Sequence, residues 1–299
     1  MAAAGRPNQL FRNLNAKIAS IPMVLTALLV FAGGTIWTVV YSFTDSRLLP
    51  RLNFVGLDQY VRLWGSANNR WHISIDNILI YGVCSLVLSL CIGFLLAALL
   101  DQKIRFENTF RTIFLYPFAL SFVVTGLVWQ WILNPEFGIQ AVVRGMGWES
   151  FSFRWIKEGK MAIYTIVIAA VWQSSGFVMA MFLAGLRGVD NEVIKAAQID
   201  GASTAMIYRR IIIPLMRPVF LSAFVVLAHL AIKSYDLVVA MTDGGPGTAT
   251  WVPALFMQKF TFGRNEMAMG ASSAIIMMMM IFSIIVPYLY SELRGGRRS

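Results

Sequence analysis

The sequence predicts an all-α membrane protein with six transmembrane helices, on three observations. Of its 299 residues 58% are apolar and 13% charged, with a mean hydropathy of +0.66; a soluble domain has about 45–50% and about 25%. Five uncharged runs, Lys17 to Asp45, Asp76 to Asp101, Arg111 to Glu136, Lys160 to Arg187 and Glu266 to Glu292, each exceed the roughly 20 residues a helix needs to cross the hydrocarbon core. The short alternating segments of a closed barrel are absent. These features exclude intrinsic disorder and an ordinary soluble enzyme. They also remove nucleic acid as the reason for the formal charge of +10.

A tail of residues 1–20 precedes the first helix, about 21–43. Its apolar run is too long for a signal-peptide core and no small-residue cleavage site follows, so it is read as a retained helix. The second helix, about 77–100, starts at Asn77, read as a cap. It holds Cys84 and Cys91, seven apart on one face and read as packing residues. The third and fourth, about 112–133 and 161–186, each carry a Trp-Gln pair: Trp129-Gln130 and Trp172-Gln173. The fifth, about 214–235, is the odd one, since Lys233 follows Arg217 after only 15 uncharged residues. The sixth, about 267–291, contains Met277 to Met280, which cover every helix face and read as packing or lipid contact.

Six crossings put both termini on one side. That side holds Arg6, Arg12 and Lys17; Lys103, Arg105 and Arg111; Arg187, Lys195, Arg209, Arg210 and Arg217; and Arg294, Arg297 and Arg298. These are 14 basic residues against 6 acidic ones. The other side has 10 basic residues on longer loops, nearly cancelled by 9 acids. The density of basic residues makes the termini cytoplasmic.

No combination of nucleophile, base and orienting group stands out, so no catalytic residue and no enzyme activity is expected. His72 and His229 are isolated, and no metal site is expected. Gly244-Gly245-Pro246-Gly247 lacks the following Gly-Lys-Ser/Thr of a phosphate loop. Energy for transport must come from an ion gradient or from another subunit.

The loop 187–213 is the most informative segment. Ala196, Ala197, Ala202 and Ala205 form helix with little bulk, and Gly201 interrupts them at a bend. Asp200 or Ser203 caps the following helix, and Pro214 suits the first turn of the next. Arg209 and Arg210 sit at lipid headgroups. From composition alone this segment is either an amphipathic helix resting on the bilayer or a docking element.

Here a resemblance enters. Ala196-Ala197, three residues, Gly201, nine residues, Ile211, one residue, Ile213 and Pro214 resemble the EAA motif of ABC importer permeases, with Lys195 in place of the family's leading Glu. Asn53-Phe-Val-Gly-Leu-Asp-Gln-Tyr60, Phe110-Arg-Thr-Ile-Phe-Leu-Tyr-Pro117, Trp129-Gln-Trp-Ile-Leu-Asn-Pro-Glu-Phe-Gly138 and Met241-Thr-Asp-Gly-Gly-Pro-Gly-Thr248 are similar to segments of the carbohydrate class. The likeness is to the first permease of maltose- and glycerol-phosphate-type systems.

The resemblance implies a type I importer permease fold with a cytoplasmic coupling helix between helices four and five. Lys195, Ala196, Ala197, Asp200, Gly201 and Ala202 would then dock on an ATPase. It further implies a second permease, two ATPase subunits (a homodimer) that bind ATP and magnesium, an extracytoplasmic binding protein, and no cofactor or nucleic acid in this chain. Localisation would be the cytoplasmic membrane.

Residues suited to a sugar are Trp129, Gln130, Trp172 and Gln173, because aromatic faces and amides match ring faces and hydroxyls. Interfacial anchoring is the equal alternative for the tryptophans. Lys233, Tyr235 and Asp236 either form a polar cavity wall, with Lys233 favouring an anionic derivative, or form a snorkelling lysine and its Asp236 partner. A monosaccharide, a disaccharide, glycerol phosphate and a sulfonated sugar all fit this reading. An ion-coupled secondary transporter is the alternative of another class.

Overall fold

The computed structural model describes residues 14–65, 68–102 and 104–295. Arg6, Arg12, Lys103, Arg297, Arg298 and residues 1–13 of the predicted tail lie outside them. The described residues are helical and contain no strand, only an isolated bridge between Thr44 and Phe54.

Helix α1 (Leu14–Ala27) runs through a π turn at Leu28–Gly33 into α2 (Gly34–Ser42). Its most apolar stretch has no buried residue. After the short α3 (Asp58–Trp64) comes α4 (Asn69–Leu100), then α5 (Glu107–Ala119), α6 (Phe122–Ile132) and α7 (Ile139–Gly145). Helix α8 (Ala162–Arg187) is followed by α9 (Asn191–Ile199), α10 (Thr204–Ile207), α11 (Ile213–Leu215), α12 (Arg217–Ile232), α13 (Tyr235–Thr242), α14 (Pro253–Gln258) and α15 (Met267–Gly295).

Four of these, Ala19–Ser42, Asn69–Leu100, Ala162–Arg187 and Met267–Tyr290, are long and apolar enough to cross a membrane. Two further candidates are not the straight helices expected at 112–133 and 214–235. Glu107–Ala119 and Phe122–Ile132 meet at 99°, and Thr204–Leu215 and Arg217–Ile232 meet at 68°. The first bend follows Pro117, which has no N–H to donate. Leu120 and Ser121 are both extended there, and the Ser121 hydroxyl caps α6 by accepting from the Val124 N–H at 3.2 Å. At the second, Pro214 and Pro218 each sit in the first turn of a new helix, where proline is tolerated.

Helix α4 also starts eight residues before Asn77. Asn77 is therefore no cap. It is buried within the helix and donates 2.9 Å bonds to the carbonyls of Ala249 and Trp251. The apolar run reports only the lipid-crossing part, whereas the helix extends further to a buried Trp71, which packs edge-on against Trp64 of α3 and Phe256 of α14.

The centre of the bundle is α8 packed along α4. On α4 the buried ridge is Asn77, Tyr81, Ser85, Ser89, Gly93 and Ala97, every fourth residue. Such i±4 ridges pack into grooves, and small residues let helices in lipid approach closely. A Cβ on Gly93 would stand 2.6 Å from Val178. A Cβ on Gly176 would stand 1.7 Å from the Phe114 carbonyl, so α5 crosses α8 there in backbone contact. Apolar clusters close both ends. Trp71, Leu255 and Phe256 lie at the end away from α9, and Phe182, Leu183 and Met216 lie at the α9 end.

Candidate functional site

Two chain breaks meet on one cavity. The first is Leu120–Ser121. The second lies between α12, which ends at Ile232, and α13, where the Tyr235 N–H reaches back to the Lys233 carbonyl at 2.7 Å. A cavity of about 160 Å³ opens between them, lined by Tyr81, Ser85, Ser89, Ser174, Ser234 and Gln173 and by Phe118 and Phe122. Lys233, Asp236 and His229 also line it.

Gln173 is the best-placed group. It is 1% exposed, and its Nε2 donates at 2.8 Å to the Leu120 carbonyl, which the helix break leaves free. Its Oε1 has no hydrogen-bond partner among the described residues. A buried amide oxygen without a partner is uncommon enough to require an explanation; Gln173 belongs to the cavity wall, but this oxygen is itself closed off from solvent. Ser89 and Ser174 share a 2.8 Å bond across the same wall.

Of the residues singled out from sequence, the structure brings Gln173, Lys233 and Asp236 to this cavity. Lys233 and Asp236 are both exposed and form no ion pair with each other. Trp129 and Tyr235 pack against the apolar cluster at the end away from α9. Trp172 meets Trp129 edge-on at 5.9 Å and is 38% exposed. Gln130 is half-buried and does not line the cavity. The two Trp-Gln pairs thus join through their tryptophans, and only one glutamine reaches the cavity. The hydroxyls of α4 were missed; their signal is the four-residue spacing of Tyr81, Ser85 and Ser89, which a hydropathy average conceals.

The second feature is α9. Asp190 caps it, accepting from the Glu192 N–H at 2.8 Å. At its far end Gly201 is left-handed (φ +79°), while the Ala202 N–H reaches the Ala197 carbonyl at 2.9 Å and the Gly201 N–H the Gln198 carbonyl at 3.1 Å. This is a Schellman stop. Ser203, not Asp200, then caps α10 by accepting from the Met206 N–H. Ile194, Ala197 and Ala202 pack on the core cluster. Lys195, Ala196, Asp200 and Gly201 are exposed, and Ile199 is 85% exposed. Just before α9, Arg187 pairs with Glu107 and lies 3.9 Å from Asp101, tying the α4–α5 connection to its base.

Residues 89–294 match the family described as binding-protein-dependent transport system inner membrane component. The chain belongs to this family. It is therefore a multi-pass inner-membrane permease, and residues 89–294 include α9 and all of the cavity lining except Tyr81, Ser85 and Leu86. A probable ABC transporter permease protein of Pyrococcus horikoshii is 41% identical over 92% of this chain and 94% of its own. The xylose/arabinose import permease protein of Haloferax volcanii is 34% identical, with 92% and 87% covered. Among solved structures, that of a bacterial ABC transporter involved in the import of the acidic polysaccharide alginate superposes with a TM-score of 0.81 over 96% of this permease and 97% of that chain. At 17% identity this likeness speaks to the fold, that of a type I ABC importer permease.

Proposed function

We propose that this permease is a membrane-spanning subunit of an ATP-driven importer for a sugar or sugar derivative. It acts with a second permease, a pair of ATPase subunits and an extracytoplasmic binding protein. Each bent helix pair counts as one crossing, making six, with both termini and α9 in the cytoplasm.

The observation that carries this reading is α9. A nine-residue helix with a cap at each end is anchored by one face and presents Ile199, at 85% exposure, on the other. Covering an isoleucine is worth about 1.5–3 kcal/mol, so the exposed face suits a protein cleft. Closure of the ATPases on ATP would displace α9 and, through Arg187, the α4–α5 connection. The cavity would then open to the side where substrate is delivered. Such a switch needs only contacts that differ between the two states.

The sugar assignment rests on the xylose/arabinose relative and on a wall of hydroxyls, one amide and two phenyl rings. With Lys233 and Asp236 both on that wall, its charges cancel, which favours a neutral sugar over an anionic one. At about 160 Å³ the cavity is smaller than the roughly 300 Å³ of ordinary ligand sites, so this conformation must widen to admit substrate.

The test is Ile199→Asp. An exposed substitution changes stability by about 0.5 kcal/mol or less, so the permease should still accumulate in the membrane while co-isolation of its ATPase is lost. Retained co-isolation together with normal ATP-dependent uptake would sink the assignment of α9.

A further inference from the structure

The connection between the first two spans leaves much apolar surface uncovered. Leu49, Leu52 and Phe54 in the hairpin closed by the Thr44–Phe54 bridge, and Leu57, Val61 and Trp64 along α3, are each at least half exposed. Helix α3 has three faces. Gln59 and Leu63, four apart, face the protein: Leu63 is fully buried, and the Gln59 amide donates to the Thr44 carbonyl at 3.0 Å. Asp58 and Arg62, also four apart, are exposed. Leu57, Val61 and Trp64, at i, i+4 and i+7, form an exposed apolar stripe. An ordered apolar stripe beside an ordered polar one suits a boundary at which the two meet different solvents.

The height of this segment is fixed by α15. The Ala268 N–H donates to the Ser46 carbonyl at 3.0 Å, and the Ser272 hydroxyl to the Ser42 carbonyl at 3.2 Å. Arg62 lies 3.9 Å from Glu266. The segment therefore sits where the apolar stretch Met267–Tyr290 begins and where Ala19–Ser42 ends. Tryptophan is enriched at that level of a bilayer. Arg47, Arg51 and Arg62, all exposed, have the reach and charge to meet headgroup phosphates.

We propose that residues 47–64 lie in the phospholipid headgroup layer on the side opposite α9. Leu57, Val61 and Trp64 enter the lipid, and Asp58 and Arg62 face water and headgroups. This strap fixes the outer ends of the first and last spans at the membrane surface.

The test uses the full chain in the complex with which it purifies, in nanodiscs of phosphatidylethanolamine and phosphatidylglycerol. In a Cys84→Ala, Cys91→Ser background, single nitroxide labels replace Leu57, Asp58, Val61, Arg62 and Trp64. Their collision rates with oxygen, which concentrates in lipid, and with a water-soluble nickel chelate are compared. The oxygen-to-nickel ratio should be high at positions 57, 61 and 64 and invert at 58 and 62. Nickel exceeding oxygen at 57 and 61 would place the stripe in water and overturn the proposal. Low rates with both reagents would place it against a protein and overturn it equally. Leu57 and Val61 are 62% and 68% exposed, so labels there leave the fold intact and suffice if a label at Trp64 does not.

Discussion

Gln173 carries two tasks on one amide. Its nitrogen satisfies the Leu120 carbonyl at the α5–α6 break, and the side chain forms part of the cavity wall. Gln173→Leu removes both. Leaving that carbonyl buried and unpaired should cost about 1–3 kcal/mol, read as a lower thermal midpoint in detergent, and sugar uptake should weaken as well. An unchanged midpoint would contradict the tie. The Trp-Gln pairing made this residue visible in sequence, but only its interest, not its partner, because Leu120 lies far away along the chain. Tyr81, Ser85 and Ser89 were hidden because serines inside an apolar run lower the average slightly and carry no charge. Gly201 was legible as a bend. Its requirement is the left-handed backbone itself, since a Cβ there would meet nothing within 4 Å.

At the scale of elements, the contact between α5 and α8 depends on one glycine. A side chain at Gly176 would collide with backbone rather than with a side chain able to turn away. Gly176→Val should therefore displace α5 and the cavity wall built on it, costing about 3 kcal/mol or more, above the usual overpacking range of 1–3 kcal/mol. Size-exclusion profiles of the solubilised protein should show loss of the monodisperse peak. A wild-type profile would contradict the close crossing. The four long apolar helices were readable from hydropathy because uncharged length is the physical requirement for crossing lipid. The two bends were not, because a break inside an apolar run leaves its hydropathy unchanged. The groups that stabilise the first bend are a serine cap and a glutamine from another helix. The limits of α9 were partly legible in Gly201, where local chemistry alone decides the stop.

For the whole molecule, the +10 charge is unevenly spread along the chain. Basic residues gather around α9, and the pairing of Arg187 with Glu107 and its approach to Asp101 join three segments at that end into one body. The cavity lies between the α5–α6 break and the α12–α13 break, so a push on this body can reach it through α5 and α12. Selectivity among sugars is not legible in this sequence, because the wall offers hydroxyls and an amide with balanced charge. The measurement that tests the account most directly is uptake of labelled pentose or hexose into proteoliposomes containing the assembled complex. Uptake is expected only with ATP inside and binding protein outside, and none from this chain alone under an ion gradient. Full gradient-driven uptake by the lone chain, without ATP, would contradict it.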